Sequence, residues 1–129
     1  MNQKKQTIMI VEDEEMLLHA ISTKLTLNGY LALPYLDGKM GMADLISKKI
    51  YPDIIWLDYY LSNMTGMEFV NELKTHAIEI PVVIVSNSAS DTKVKTMLAL
   101  GVKKYILKAH HRLDEIIAEL QQLLPQLNV

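Results

Sequence analysis

Asp58 closes an apolar run, Asp53-Ile54-Ile55-Trp56-Leu57-Asp58, that has the composition of a strand buried on both faces. A carboxylate at the carboxyl end of such a strand stands where open α/β sheets build their ligand sites. Other apolar runs end in equally useful groups. Thr7-Ile8-Met9-Ile10-Val11 runs into Glu12-Asp13, Pro81-Val82-Val83-Ile84-Val85 into the hydroxyl of Ser86, and Tyr105-Ile106-Leu107 into the ammonium of Lys108. If these strands lie parallel in one sheet, three carboxylates, a hydroxyl and an ammonium meet in one cleft. Such a set can hold a divalent metal and a phosphoryl group.

The elements that must position these groups alternate along the chain. Strand signals recur at 7–12, 30–35, 53–58, 81–86 and 103–108, with helical periodicity between them. Leu17, Leu18, Ile21 and Leu25 share a face of the first helix, which the Asn28-Gly29 pair should stop. A weaker pattern over 38–49 carries Met42, Leu45 and Ile46, and a third helix near 66–75 turns Phe69, Val70 and Leu73 inward. Ser90 and Asp91 are N-cap candidates for a fourth helix with Val94, Met97 and Leu98, stopped at Gly101. Leu113, Ile116, Ile117, Leu120 and Leu124 give the last helix an i, i+3, i+4, i+7 face that Pro125 should end.

Five strands alternating with five helices predict a flavodoxin-like (βα)5 three-layer sandwich around a five-stranded parallel sheet. The usual strand order of that fold, 2-1-3-4-5, places the switch point between strands one and three, which end in Glu12-Asp13 and Asp58. One domain over residues 1–129 is expected, with no output domain in this chain.

Composition narrows the function classes. Without cysteine there are no disulfides and no thiolate metal sites. A formal net charge of −2 gives no electrostatic case for direct nucleic-acid binding. No apolar run approaches the ~18 residues of a membrane span, and the first is interrupted at once by Glu12-Asp13-Glu14-Glu15, so a cytoplasmic location is expected. Neither G-x-G-x-x-G after the first strand nor G-x-x-x-x-G-K-[ST] occurs. The acids of the first turn would repel a nucleotide or flavin phosphate and favour a cation.

The motifs, taken together, resemble the receiver domains of two-component response regulators over essentially the whole chain. The resemblance rests on Ile10-Val11-Glu12-Asp13-Glu14, Ile55-Trp56-Leu57-Asp58 with Met64-Thr65-Gly66-Met67, Ile80-Pro81-Val82-Val83-Ile84-Val85-Ser86, and Gly101-Val102-Lys103-Lys104-Tyr105-Ile106-Leu107-Lys108, all in register. It implies that Asp58 accepts a phosphoryl group from a histidine kinase or a His-containing phosphotransfer protein. It further implies Mg²⁺, with Mn²⁺ as a substitute, held by Asp13 and Asp58 directly, by Glu12 through water and by the backbone carbonyl of Tyr60. Ser86 and Lys108 would contact phosphoryl oxygens, and Tyr105 would change rotamer on activation. The output would pass to a downstream protein or an output domain outside this chain. The face of helix four, strand five and helix five, with Lys93, Lys95, Lys103 and Lys104 beside Asp114, Glu115 and Glu119, is the expected surface for partners or for a dimer.

The chain departs from the family pattern at four positions. Ala109 and Ser62 stand where prolines are usual, Asn87 replaces a small residue beside Ser86, and Tyr60 is bulky next to Asp58. These motivate one rival, a degenerate receiver acting as a phosphorylation-independent interaction module. A small aspartyl-phosphate hydrolase is a second rival, but it needs a general acid/base two residues past its nucleophile, and Tyr60 occupies that place. Bland readings stand beside the functional ones: Lys108 as a solvated strand end, Ser86 as a turn residue, Tyr105 as an edge aromatic packing on the last helix. His110 and His111 read as a solvated loop, and the eight methionines as core filler.

Overall fold

Each apolar run pairs with its neighbours in the computed structural model, which describes residues 5–124. The strands are β1 (Thr7–Val11), β2 (Leu31–Tyr35), β3 (Ile54–Leu57), β4 (Val82–Ser86) and β5 (Lys104–Leu107). They form one sheet in the order β2-β1-β3-β4-β5, every pair parallel, as the alternation predicts. The helices are α1 (Glu15–Leu27), α2 (Gly38–Ile46), α3 (Gly66–Thr75), α4 (Asp91–Ala99) and α5 (Leu113–Leu123), and a 3-10 turn covers Lys108–His110. The polar residues before Lys5 and the expected stop at Pro125 lie outside the described residues.

The two faces of the sheet carry separate cores because side chains alternate along each strand. Ile8, Ile10, Ile54, Trp56, Val83, Val85 and Ile106 pack under α1 and α5. Met9, Val11, Ile55, Leu57, Val82 and Ile84 pack under α2, α3 and α4. With both faces covered, β1, β3 and β4 have no solvent side, which explains why they read as unbroken apolar runs rather than alternating ones.

Helix ends follow local chemistry. Ser90 caps α4 by accepting from the Lys93 N–H at 3.1 Å. Thr65 and Glu68 close a reciprocal capping box on α3, at 3.1 and 2.9 Å. Gly29 and Gly101 take the left-handed backbone (φ +90° and +101°) that stops α1 and α4 where the sequence places the stops. The ends of α2 and α3 use Lys48 (φ +63°) and Ala77 (φ +53°) in that role, so α2 finishes before the expected position 49. Two apolar residues differ from expectation. Leu98 and Ile46 are exposed at 45% and 40%. Each follows an inward residue, Met97 or Leu45, by one position, and the ~100° step of an α-helix turns it off the buried face. No helix among the described residues is long and apolar enough to cross a membrane.

Candidate functional site

The parallel sheet brings the carboxyl ends of β1, β3, β4 and β5 to one edge. The Asp58 N–H donates to the Val11 carbonyl at 3.0 Å, and the Glu12 N–H to the Tyr35 carbonyl at 3.0 Å, so both acids are fixed by ladder bonds at the switch point. Successive residues at a strand end face opposite ways. Glu12 is buried at 1% exposure while Asp13 is exposed, and Asp58 is buried. One carboxylate oxygen from each of Glu12, Asp13 and Asp58 lies within 4.8 Å of the others. An all-oxygen, anionic donor set of this kind suits a hard divalent cation, and these three groups could hold one.

Lys108 answers part of that charge. Its ammonium donates to Glu12 Oε1 at 2.7 Å and to Asp58 Oδ2 at 3.3 Å, from a side chain 14% exposed. Burial works against its charge, but the hydrogen bond to Glu12 and the charges of Asp58 and Glu12 outweigh it, holding the ammonium above its usual range. Asp58 goes the other way from an ordinary carboxyl. Burial first, then repulsion by Glu12, push it up to about 6, with Lys108 opposing. The acid edge therefore holds more negative charge than one lysine neutralises. The Lys108–Ala109 peptide is trans, and Ala109 lies within the 3-10 turn.

Ser86 is fully buried at the end of β4, its Oγ accepting from the Ser88 N–H at 3.4 Å. Tyr105 is half-buried one strand over, and its hydroxyl donates to the Ser88 carbonyl at 2.8 Å. Its ring packs on the face under α2, α3 and α4, 6.4 Å from Tyr59, and not on α5. Burial raises the Tyr105 phenol above its ordinary value. Tyr60 is 53% exposed, and its backbone bridges to Thr65 across the loop after Asp58. That loop sits tightly on α3: the Gly66 N–H donates to the Tyr59 carbonyl at 2.6 Å, and a Cβ at Gly66 would come within 3.2 Å of Tyr59 Cα.

All seven residues singled out in the sequence thus stand at one sheet edge. Direct contact unites Glu12, Asp58 and Lys108, with Asp13 beside them. Two further participants, Tyr59 and the surface lysine Lys93, belong to none of the sequence motifs. The Lys93 ammonium lies 4.6 Å and 4.3 Å from the Tyr59 and Tyr60 ring centroids and donates to the Tyr60 hydroxyl. Three tyrosines within reach of one strand edge were the available signal. The mixed charges expected on the helix four to helix five face are partly spent internally. Lys104 pairs with Glu119, and Asp114 turns to α1, meeting Lys24 at 2.7 Å. His110 is exposed, and a ring nitrogen of His111 lies 3.1 Å from the Leu107 carbonyl.

Comparison with known proteins is consistent with this geometry. Residues 8–121 match the model of the response regulator receiver domain. The cell cycle transcriptional regulator CtrA of Caulobacter vibrioides is 35% identical over 115 residues, 88% of this chain and 48% of that protein. The phosphate regulon transcriptional regulatory protein PhoB of Pseudomonas aeruginosa is 28% identical over 92% of this chain and 52% of its own length. The chain thus spans about half the length of these relatives. Among solved structures, the Francisella response regulator 1452 receiver domain superposes with a TM-score of 0.84 at 24% identity, covering 92% of this chain and 96% of that one. The response regulator TrrA of Thermotoga maritima, solved in complex with Mg²⁺–BeF, gives 0.78 at 18% identity, covering 92% and 99%.

Proposed function

The chain belongs to the response regulator receiver domain family, and from that premise we propose that it is a phosphorylation-switched signalling domain with Asp58 as acceptor. An Asp58 oxygen attacks phosphorus while the bond from phosphorus to a histidine nitrogen of the donor breaks, the electron pair returning to the imidazole. Asp58 titrates at about 6, so it is largely the ionised nucleophile at neutral pH. Lys108, already beside Asp58 and Glu12, neutralises charge on the transferred group, and the Ser86 hydroxyl donates to another phosphoryl oxygen. Asp13, Asp58 and the Tyr60 carbonyl would hold Mg²⁺ (or Mn²⁺) directly, with Glu12 behind a water. Bound there, the cation would supply charge neutralisation at the phosphoryl oxygens.

The observation that carries this reading is the meeting of three carboxylates with one partly buried ammonium at the switch point of the sheet. On this reading a histidine kinase or His-containing phosphotransfer protein supplies the phosphoryl group, in the cytoplasm. The signal leaves through Ser86 and Tyr105 to the α4–β5–α5 face, toward a downstream protein, an output domain or a second copy. Intact mass after incubation with a small phosphodonor and Mg²⁺ tests it. A gain of one phosphoryl group in the wild type, absent from Asp58→Asn, is expected. No gain would leave an interaction module that needs no phosphorylation, and continuous release of phosphate would make the chain a hydrolase.

A further inference from the structure

Trp56 is the only tryptophan of the chain, 1% exposed on β3 and part of the core under α1 and α5. Its indole Nε1–H is the one buried side-chain polar atom among the described residues without a hydrogen-bond partner. A buried indole N–H ordinarily finds an acceptor, because a donor stripped of water and left unpaired is uncompensated. The surrounding core supplies none. Ile10 and Val83 stand beside Trp56 on the neighbouring strands, and Leu18, Ile21, Ile116 and Ile117 close the same core from the helices. These side chains are all hydrocarbon.

Trp56 also borders a cleft of about 230 Å³, where α1 meets the start of α5. Leu17 and Ile21 wall the cleft on α1, and Leu113 and Ile116 on α5. Two polar residues complete the border. The Lys108 ammonium is committed to Glu12 and Asp58. His111 is exposed, with one ring nitrogen 3.1 Å from the Leu107 carbonyl. The buried side chains thus present one free donor in apolar walls. An ordered water needs two to four polar partners and would be poorly held, whereas an apolar cavity of roughly 150 Å³ already takes benzene. Charged guests are disfavoured as well, since the one ammonium at the border already faces two acids. We propose that this cleft binds a small, largely apolar carbonyl compound whose oxygen accepts the hydrogen bond of Trp56 Nε1–H. The site needs neither a cation at the acid edge nor a phosphorylated Asp58, so it goes beyond the phosphoacceptor reading and stands or falls separately.

A single tryptophan gives a single indole N–H resonance, which reads the contact directly. Cyclohexanone and methylenecyclohexane are the probes. They share a shape, differ in a carbonyl oxygen against a methylene group, and carry no aromatic ring that would displace resonances by itself. Both should shift the methyl resonances of Ile21 and Ile116 saturably, and only cyclohexanone should also move the indole proton downfield. Leu17→Phe, which narrows the cleft, should weaken both probes while the indole resonance of the free protein stays near its wild-type position. Trp56→Phe should weaken cyclohexanone roughly fivefold, the worth of one hydrogen bond, and leave methylenecyclohexane unchanged. An indole proton that neither probe moves, or that both move alike, overturns the proposal, as does an equal loss of the two probes in Trp56→Phe. If Trp56→Phe fails to fold, the wild-type shift and Leu17→Phe still decide. A wild type that binds cyclohexanone in this way but takes up no phosphoryl group sinks the phosphoacceptor reading and leaves the cleft assignment standing.

Discussion

Lys108 and Lys93 stand at the same end of the sheet, one among buried carboxylates and the other between the buried Tyr59 ring and the exposed Tyr60 ring. Lys108 is outnumbered. Glu12 and Asp58 are buried beside it and Asp13 adds a third acid; burial first, then repulsion by Glu12, pushes Asp58 up to about 6. Lys93 faces no excess charge, since its described partners are two tyrosine rings and a phenol hydroxyl, and water reaches the Tyr60 ring. Burial separates the two. Where water is excluded, an unpaired charge is costly and a change of one group is felt in stability. Where water enters, the same kind of contact sets geometry while adding little to stability.

The sharpest test of that contrast removes the buried cation. Lys108→Met should lower the stability of the metal-free protein by about 3 kcal/mol at neutral pH, read by denaturant unfolding. The loss should shrink as pH falls through about 6, where Asp58 takes up its proton. A stability as high as wild type at pH 7 would mean that the acids are well solvated.

Next in size is the removal of the excess charge itself. Asp58→Asn should raise metal-free stability by about 2 kcal/mol at pH 7. The sign follows from linkage. In the folded chain burial and Glu12 push Asp58 up to about 6, above the 3.8 of an ordinary aspartate, so the native state binds this proton more tightly than the unfolded one. The stabilising contribution is full below pH 3.8 and is lost as pH rises through 6. Wild type should therefore weaken between about pH 4 and 7 relative to Asp58→Asn, and parallel stability curves would refute the assignment.

A bound cation should relieve the same excess without mutation. At ten times its dissociation constant, Mg²⁺ should stabilise the wild type by about 1.4 kcal/mol. The Asp58→Asn variant should show a much smaller rise in melting temperature, and equal rises would place the ion elsewhere.

The aromatic side should respond least. Tyr105→Phe loses one hydrogen bond to the Ser88 carbonyl and keeps the ring contact with Tyr59, so a loss below about 1 kcal/mol is expected. A larger loss would mean that the aromatic cluster contributes to stability as the buried acids do.

Much of this is legible in the sequence alone. The doubly buried strands announce themselves as unbroken apolar runs such as Ile54-Ile55-Trp56-Leu57, and their terminal acids are set apart by contrast. Gly29, Gly101 and Ser90 mark helix ends by backbone chemistry that needs no tertiary partner. Lys48 and Ala77 were not legible as left-handed stops, because neither side chain favours that conformation and only the surrounding chain path imposes it. Leu98 and Ile46 lie off the buried face for a related reason: apolar type shows what a residue tolerates, and helix phase decides where it points.

The sequence by itself determined the alternation of elements and hence the parallel sheet, with the polar groups that must come to its carboxyl edge. These are properties of neighbouring residues, written in periods of two and of three to four along the chain. Only the tertiary structure decided which of those groups touch. Lys108 meets Glu12 across 96 positions and Asp58 across 50, and Lys93 meets Tyr60 across 33. Contacts at such separations depend on strand order and on the exact course of the loops beyond the strands. The same dependence buries Glu12 while leaving Asp13 in water, a distinction between adjacent acids that composition and spacing do not contain.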